Sequence, residues 1–373
     1  MLIGGKQIKK PPWSVFVTFS VFAYVSLFFI ASPMARAGEE KSYRKNKEAC
    51  CDYRNRDASG SSPFWRDLDY YCTRYEVDIN LWKPYVALED FAYTNVFQTP
   101  NLPISAQSSK IPFNWNWGFR LGAGWQFFHE DWEVFASYTY FKGKGKREIS
   151  NKCGNAIIPL KGVTLLGQMV SKANSNLHLL WNNIDLVANK RFHFNENLLV
   201  FTGLGLKNYW FDLKQKTQYA GGAFLNNNIL RVDQSSKFYG IGPLLQVRSK
   251  WLFINSFYLD GGLGGSLLYG KNRTSFKESL NYSTVNQVKI SDDVSYVVPN
   301  VDLEVGIGWS KYYDDCSRFV SISLMYENHY FWQQNQMVVT NPYRFNGNFS
   351  PRYHHFRGDA SFQGFSLKLN FKY

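Results

Sequence analysis

From Phe113 to Gln126 the chain alternates without a break. Phe113, Trp115, Trp117, Phe119, Leu121, Ala123 and Trp125 are apolar, and Asn114, Asn116, Gly118, Arg120, Gly122, Gly124 and Gln126 stand between them. Successive side chains of a strand take opposite faces, so this segment predicts a strand with one oily and one wet side. The last nine residues repeat the pattern, with Phe365, Leu367, Leu369, Phe371 and Tyr373 against Ser366, Lys368, Asn370 and Lys372. A soluble sheet can alternate too. Two features favour lipid: tryptophans near both ends of 113–126, where headgroup levels gather aromatics, and a terminal strand suited to close a cylinder.

The same period recurs along the chain. Val77, Ile79 and Leu81 mark a first strand, and Trp132, Val134, Ala136, Tyr138 and Tyr140 mark the return from a turn at His129–Asp131. Ile184, Leu186 and Ala188 follow, then Val200, Leu204, Leu206 and Trp210, then Tyr239, Ile241, Leu245 and Val247. Further strands are expected in 253–269, 297–311 and 317–332. Outside the N-terminus no apolar run is long enough for a helix to cross hydrocarbon, so a membrane crossing has to be a closed sheet. The aromatic content of 18% with a mean hydropathy of −0.33 suits a wall that is apolar outside and polar within.

The predicted fold is all-β, an antiparallel up-and-down transmembrane β-barrel of about ten strands (roughly 10 to 16), with a short N-terminal helix. Short links near 128–131, 191–197, 249–252 and 312–317 alternate with long polar ones near 90–112, 143–175, 214–236, 270–296 and 333–360, which puts both chain ends on the periplasmic side. Apolar fragments at 156–163 and 285–290 leave additional strands open.

At the N-terminus Lys6, Lys9 and Lys10 precede an apolar run from Val15 to Ile30 and the pattern Ala35-Arg36-Ala37, which reads as a secretory signal over 1–37, with a membrane anchor as the alternative. Removal of its four basic residues lowers the formal charge from +13 to +9. Residues 38–75 read as a periplasmic leader. Ser62 and Pro63 open a short helix carrying Phe64, Leu68 and Tyr71, which packs against the barrel end or plugs the lumen. The barrel is expected over 76–373.

The predicted lumen mixes signs. Arg120, Lys207, Arg248 and Lys368 face it with Asp185, Asp302, Glu304 and Glu327, and Lys372, Asp78 and Asp260 share that face. At about ten strands the bore admits small ions or is crossed by ion pairs, and inward glycines are expected to widen it. The chain has five cysteines. Cys72, or one of Cys50 and Cys51, can meet Cys316 on the periplasmic side, whereas Cys153 lies in an extracellular loop and suits an intermolecular bond, as do Cys50 and Cys51; five free thiols remain the alternative.

Other chemistries find little support. Scattered basic residues without a reading motif argue against nucleic acid. His129, His178, His193, His329, His354 and His355 are dispersed, no G-x-S-x-G elbow occurs, and Gly203-Leu-Gly205 lacks a phosphate-loop context. His354-His355 has no third ligand at metal spacing. No enzymatic activity, cofactor or metal is expected.

Several blocks resemble a known family: Leu81-Trp-Lys-Pro84; Trp117-Gly-Phe-Arg120, followed by His129-Glu-Asp-Trp132 and Tyr138-Thr-Tyr-Phe141; Tyr239-Gly-Ile-Gly-Pro243; Ser266-Leu-Leu-Tyr-Gly270; and Glu327-Asn-His-Tyr-Phe-Trp-Gln-Gln-Asn-Gln336. In this order, over about 76–373, they resemble the Legionella major outer membrane protein and the pore-forming outer membrane proteins of chlamydia-like bacteria. The resemblance implies a cysteine-bearing porin of the bacterial outer membrane, disulfide-linked into the envelope and in some members adhesive. It carries over no catalytic residue, and Cys50 and Cys51 fall outside the matching blocks. The expected function is passive diffusion of ions or small hydrophilic solutes. The alternative is a structural or adhesive barrel with a closed lumen, acting through extracellular loops, disulfides to envelope proteins or homo-oligomers. Outer-membrane lipid is an expected partner in either case.

Overall fold

The computed structural model describes residues 73–372 except for 98–104, 127–131, 151–155, 164, 166–167, 195–196, 227, 255, 282–287, 314–317 and 346–347. The signal, the leader helix and all five cysteines lie outside the described residues. Thirteen strands are present: β1 (Thr73–Val86), β2 (Ala92–Phe97), β3 (Ser105–Ser109), β4 (Asn116–Gln126), β5 (Trp132–Ser150), β6 (Ala156–Pro159), β7 (Lys172–His193), β8 (Leu198–Ala220), β9 (Ile229–Ile254), β10 (Phe257–Leu280), β11 (Val288–Tyr313), β12 (Arg318–Phe345) and β13 (Asn348–Lys372). One helical turn, α1 (Gly222–Leu225), joins β8 to β9. It needs glycine at its start: Gly222 has φ +84°, and a Cβ there would lie 2.1 Å from the Met169 carbonyl oxygen.

Ten strands close a ring in the order β1-β13-β12-β11-β10-β9-β8-β7-β5-β4. Closure falls to β1, which runs antiparallel to β13 from Arg74↔Lys372 to Val86↔Ala360 and to β4 from Thr73↔Trp125 to Trp82↔Asn116. The ring leaves no strand edge, so the ladder satisfies its own backbone donors and acceptors. The remaining three strands form a separate sheet, β3-β2-β6.

The outer face has two zones. Along β8 the outward residues Leu198, Val200, Leu204, Leu206 and Trp210 give way to Asp212, Lys214, Lys216 and Gln218. On β9 the order is mirrored, with Arg231, Asp233, Ser235 and Lys237 preceding Tyr239, Ile241, Leu245, Val247 and Trp251. Trp210 and Tyr239 are register partners with ring centroids 5.5 Å apart. The apolar span from Leu198 to Trp210, at ~3.3 Å per residue and ~40° tilt, is about 30 Å tall, the thickness of bilayer hydrocarbon. Leu204 is 66% exposed and Leu245 61%, and such residues continue around the ring. Soluble monomers do not show a belt of this extent, so it is a surface for lipid.

The inner face inverts at the same height. Inward residues of β7 run from Asn189, Asp185 and Asn183 to Trp181, Leu179 and Leu177, and those of β8 from Gly203, Gly205 and Lys207 to Tyr209, Phe211 and Leu213. Above the belt water surrounds the wall, so apolar side chains turn inward as in any soluble sheet. Most of the segments expected to be long polar loops are therefore strand: β5, β7, β8, β9, β10, β11, β12 and β13 all extend into them. The polar residues that suggested loops are the outward face of these extensions.

Other expectations also change. The link expected at 249–252 lies within β9, and the turn comes after Ile254. Phe113, expected to face lipid, is buried and bridges to Gly145 before β4 begins. The fragment at 156–163 supplies β6 to the small sheet and not to the ring, while Val288–Ile290 opens β11. β12 passes the expected limit of 332 through a bulge: Gln333 has φ +51° and the register shifts between Phe331 and Asn335.

The small sheet belongs to an apolar cap. Phe91, Ala92, Ile157, Leu165 and Val170 pack with Tyr219, Leu230, Val232, Phe276 and Val338 of the wall. Its backbone is tied down as well. Tyr219 Oη donates to the Phe91 carbonyl at 2.5 Å and accepts from the Lys161 N–H at 3.2 Å, and Glu278 accepts from the Val163 N–H at 2.7 Å.

Candidate functional site in the barrel lumen

Alternation places all eight expected lumen residues, Arg120, Asp185, Lys207, Arg248, Asp302, Glu304, Glu327 and Lys368, on the inward face at belt height. They come from β4, β7, β8, β9, β11, β12 and β13, so only closure brings them together. Arg120 is the hub: Nη1 lies 3.1 Å from Asp78, 3.3 Å from Glu327 and 3.4 Å from Glu304, and Nε donates to Thr139 Oγ1 at 3.3 Å. Lys368 Nζ reaches Glu304 at 3.2 Å. Lys207 Nζ reaches Asp302 at 2.6 Å and Asn300 at 3.1 Å. Charges removed from water survive only in such company.

Two expected residues stand apart. Asp185 accepts from Asn183 at 2.9 Å, while Arg248 has no hydrogen bond or ion pair among the described residues and lines two small cavities of the lumen. Near the end of the ring where β1 starts, Arg74 bonds Glu76 and contacts Glu133 at 3.4 Å, and Lys250 lies 3.8 Å from Asp260. His329, which looked dispersed in the sequence, joins the network: Nδ1 is 2.7 Å from Asp302 and Nε2 is 3.2 Å from Glu327.

His329 also meets a layer that sequence reasoning missed. Its ring sits edge-on to Trp82 and Trp181 at 5.0 and 5.2 Å. Trp82 and Trp181 stack at 5.2 Å, Trp181 meets Phe362 at 4.3 Å, Tyr209 meets Phe331 at 4.7 Å, and Phe141 meets Trp82 at 5.6 Å. All six rings are at most 2% exposed. The signal was parity: Trp181 and Tyr209 share the face of Asp185 and Lys207 and lie only one or two inward positions above them.

The lumen is thus filled at belt height. Two of its cavities measure about 20 and 40 Å³, room for about one and about three waters. Inward glycines widen the bore only in places: neighbouring rings occupy the space at Gly122, where a Cβ would lie 2.4 Å from Phe135 Cζ, and at Gly308, where it would lie 2.3 Å from Tyr258 Cζ, whereas Gly262 and Gly264 border the larger cavity with the nearest atoms 3.5 and 3.6 Å from an added Cβ.

A closed antiparallel ring with a lipid belt outside and charges locked inside defines an outer-membrane β-barrel. Over residues 73–373 the sequence matches the family described as Legionella pneumophila major outer membrane protein precursor, and the chain belongs to that family. It is a bacterial outer membrane protein. No curated relative matches the chain. Among solved structures it is similar to the outer membrane protease OmpT from Escherichia coli, at 11% identity and a TM-score of 0.42, covering 85% of this chain and 99% of that one. It is also similar to the translocator domain of the autotransporter NalP from Neisseria meningitidis (9%, TM-score 0.30, covering 91% and 97%) and to the P. putida toluene transporter TodX (10%, 0.28, covering 84% and 92%). At these scores the similarities say nothing about activity.

Proposed function

We propose that the protein is a pore-type outer-membrane barrel for ions and small hydrophilic solutes, gated by the aromatic layer and the cap above it. The observation that carries this reading is the charged wall at belt height, with Arg120, Lys207, Arg248 and Lys368 facing Asp302, Glu304 and Glu327. A barrel interior serving only as filling would be as stable or more so with apolar side chains, because ion pairs scarcely recover their desolvation. A polar wall closed by side chains alone, the ring layer and the ion pairs beneath it, suits a path that side-chain rotation opens.

The filled lumen favours a second reading, a structural or adhesive barrel that acts through its outer surface, its cysteines or association with other copies. Single-channel recording in planar bilayers separates the two. The wild type and Trp82→Ala/Trp181→Ala, alone and with residues 156–163 deleted, are compared after heat-modifiable migration has verified folding. The pore reading expects rare, small steps in the wild type and frequent, larger ones in the variants. Folded variants that stay silent would leave the structural reading, for which non-reducing gels of the envelope give the disulfide partners. Neither reading assigns the protein a reaction.

A further inference from the structure

Just above the lipid belt, the outer wall carries positive charge on one arc. Lys142 and Lys144 of β5 and Lys214 and Lys216 of β8 point outward, with His178 of β7 between them, and all five are exposed. The ladder sets Lys144 opposite His178 and His178 opposite Lys214. With strands ~4.8 Å apart and same-face residues ~7 Å apart along a strand, four ammonium groups surround one imidazole in a patch about 15 Å across. The imidazole is held below its ordinary pKa, by desolvation first and then by Lys144, Lys216, Lys142 and Lys214.

Among the described residues Asp212 is the one carboxylate paired with this patch. Lys214 pairs with Asp212 at 3.1 Å, but Asp212 also serves Lys237 at 3.8 Å. Lys142, Lys144 and Lys216 have no ion pair among the described residues. Facing like charges destabilise a sheet, so their concentration here calls for an external anion. Outward basic residues continue on both sides, Lys83 on β1 and Lys237, Lys271 and Arg273 on β9 and β10, but the last three meet Asp212 and Asp293, and on the far wall β12 and β13 turn Tyr330, Ser361 and Gln363 outward. The height is set by Tyr140, Trp210 and Tyr239, the last aromatics of the belt below the patch. Lipid headgroups occupy that level.

We infer that this arc, Lys142, Lys144, Lys214 and Lys216 around His178, docks the phosphate-bearing headgroups of outer-leaflet lipids. The occupant is a lipid because the patch continues the surface that already contacts acyl chains, and its chemistry is phosphate because compact ammonium groups bind phosphate as point charges.

The test uses the full chain in a neutral maltoside detergent, with bound lipid counted by native mass spectrometry. The probes are lipid A, its dephosphorylated form and inorganic phosphate. Lipid A should be retained in a salt-sensitive manner, and Lys142→Gln/Lys144→Gln/Lys216→Gln should weaken retention roughly fivefold per lysine, about a hundredfold in all. Lys289→Gln/Arg357→Gln, on β11 and β13 across the ring, should bind like the wild type. The substitutions lie on an exposed face, and heat-modifiable migration verifies that each variant folds. Equal retention of dephosphorylated lipid, or wild-type retention by the triple variant, would overturn the inference. Inorganic phosphate binding as tightly as lipid A would show a soluble-anion site and overturn the lipid assignment.

Discussion

Replacing Arg120 with methionine keeps much of the side-chain volume and removes the cation on which three carboxylates converge. The loss is unequal among them. Glu304 keeps Lys368 at 3.2 Å, and Glu327 keeps Ser366 at 2.6 Å and His329 at 3.2 Å. Asp78, whose side chain is 0% exposed, has Arg120 as its one hydrogen-bond partner among the described residues and retains none. Removing one member of a buried pair costs about 3–5 kcal/mol, because the charge left behind is uncompensated. Arg120→Met should therefore lower stability by that amount, and Arg120→Met/Asp78→Asn should recover about 2 kcal/mol of it through the coupling between the two sites. Urea titration of protein folded into phosphatidylcholine vesicles, followed by tryptophan fluorescence, reads both values as midpoint shifts at constant slope. A midpoint unmoved by Arg120→Met, or additive effects of the two substitutions, would show that the cluster is not held through Arg120.

Further outcomes follow from other sites. Gly122→Val should cost about 1–3 kcal/mol by pushing on the Phe135 ring, whereas Gly264→Ala, whose nearest new contact is Asp302 Cβ at 3.6 Å, should be neutral or stabilising in the same titration. Asp359 accepts from Tyr330 Oη at 2.5 Å and the Gln333 N–H at 2.8 Å, so Asp359→Ala should cost about 1–2 kcal/mol and raise amide exchange around the bulge. In the cap, Lys161 is buried 3.5 Å from Glu89, and desolvation outweighs the pull of Glu89 to hold its pKa down. The folded cap then binds fewer protons than the unfolded chain, so its stability rises as pH climbs from the lowered value to the ordinary lysine range. Proteolytic protection of the cap should grow with pH through that window, and Lys161→Met should flatten the dependence.

The ring of ten strands was legible because hydrocarbon outside and polar groups inside force a strict period of two, and residues such as Leu204, Lys207 and Leu245 obey it. The parity that placed Arg120 and Lys368 inward also placed every other member of the charge cluster. The upper half was harder to read for two physical reasons. Above Trp210 the faces exchange polarity, so Asp212, Lys214 and Lys216 look like loop residues although they continue a strand. Between Phe331 and Asn335 β12 carries two residues more than β13 does between Ala360 and Gly358, and this interruption hid the last third of β12. Of the cap strands only β6 left a trace, the apolar fragment at 156–163, whereas β2 and β3, six and five residues long, were too short to show a period. The aromatic layer needed the period followed past the last inward charge, where a large ring in a lumen is easily taken for one facing lipid.

The seam between β1 and β13 joins residues at opposite ends of the described chain: Arg74 Nε donates to Asn370 Oδ1 at 3.2 Å across 296 positions of sequence. Until that last hairpin arrives, the growing sheet carries two raw edges, each a template for pairing with the wrong chain. Contacts of such separation form slowly, since the intervening loop must close before they return any stabilisation. Assembly, more than the finished cylinder, is then the vulnerable stage, and substitutions in the first or last strand should show as lost yield before they show as lost durability.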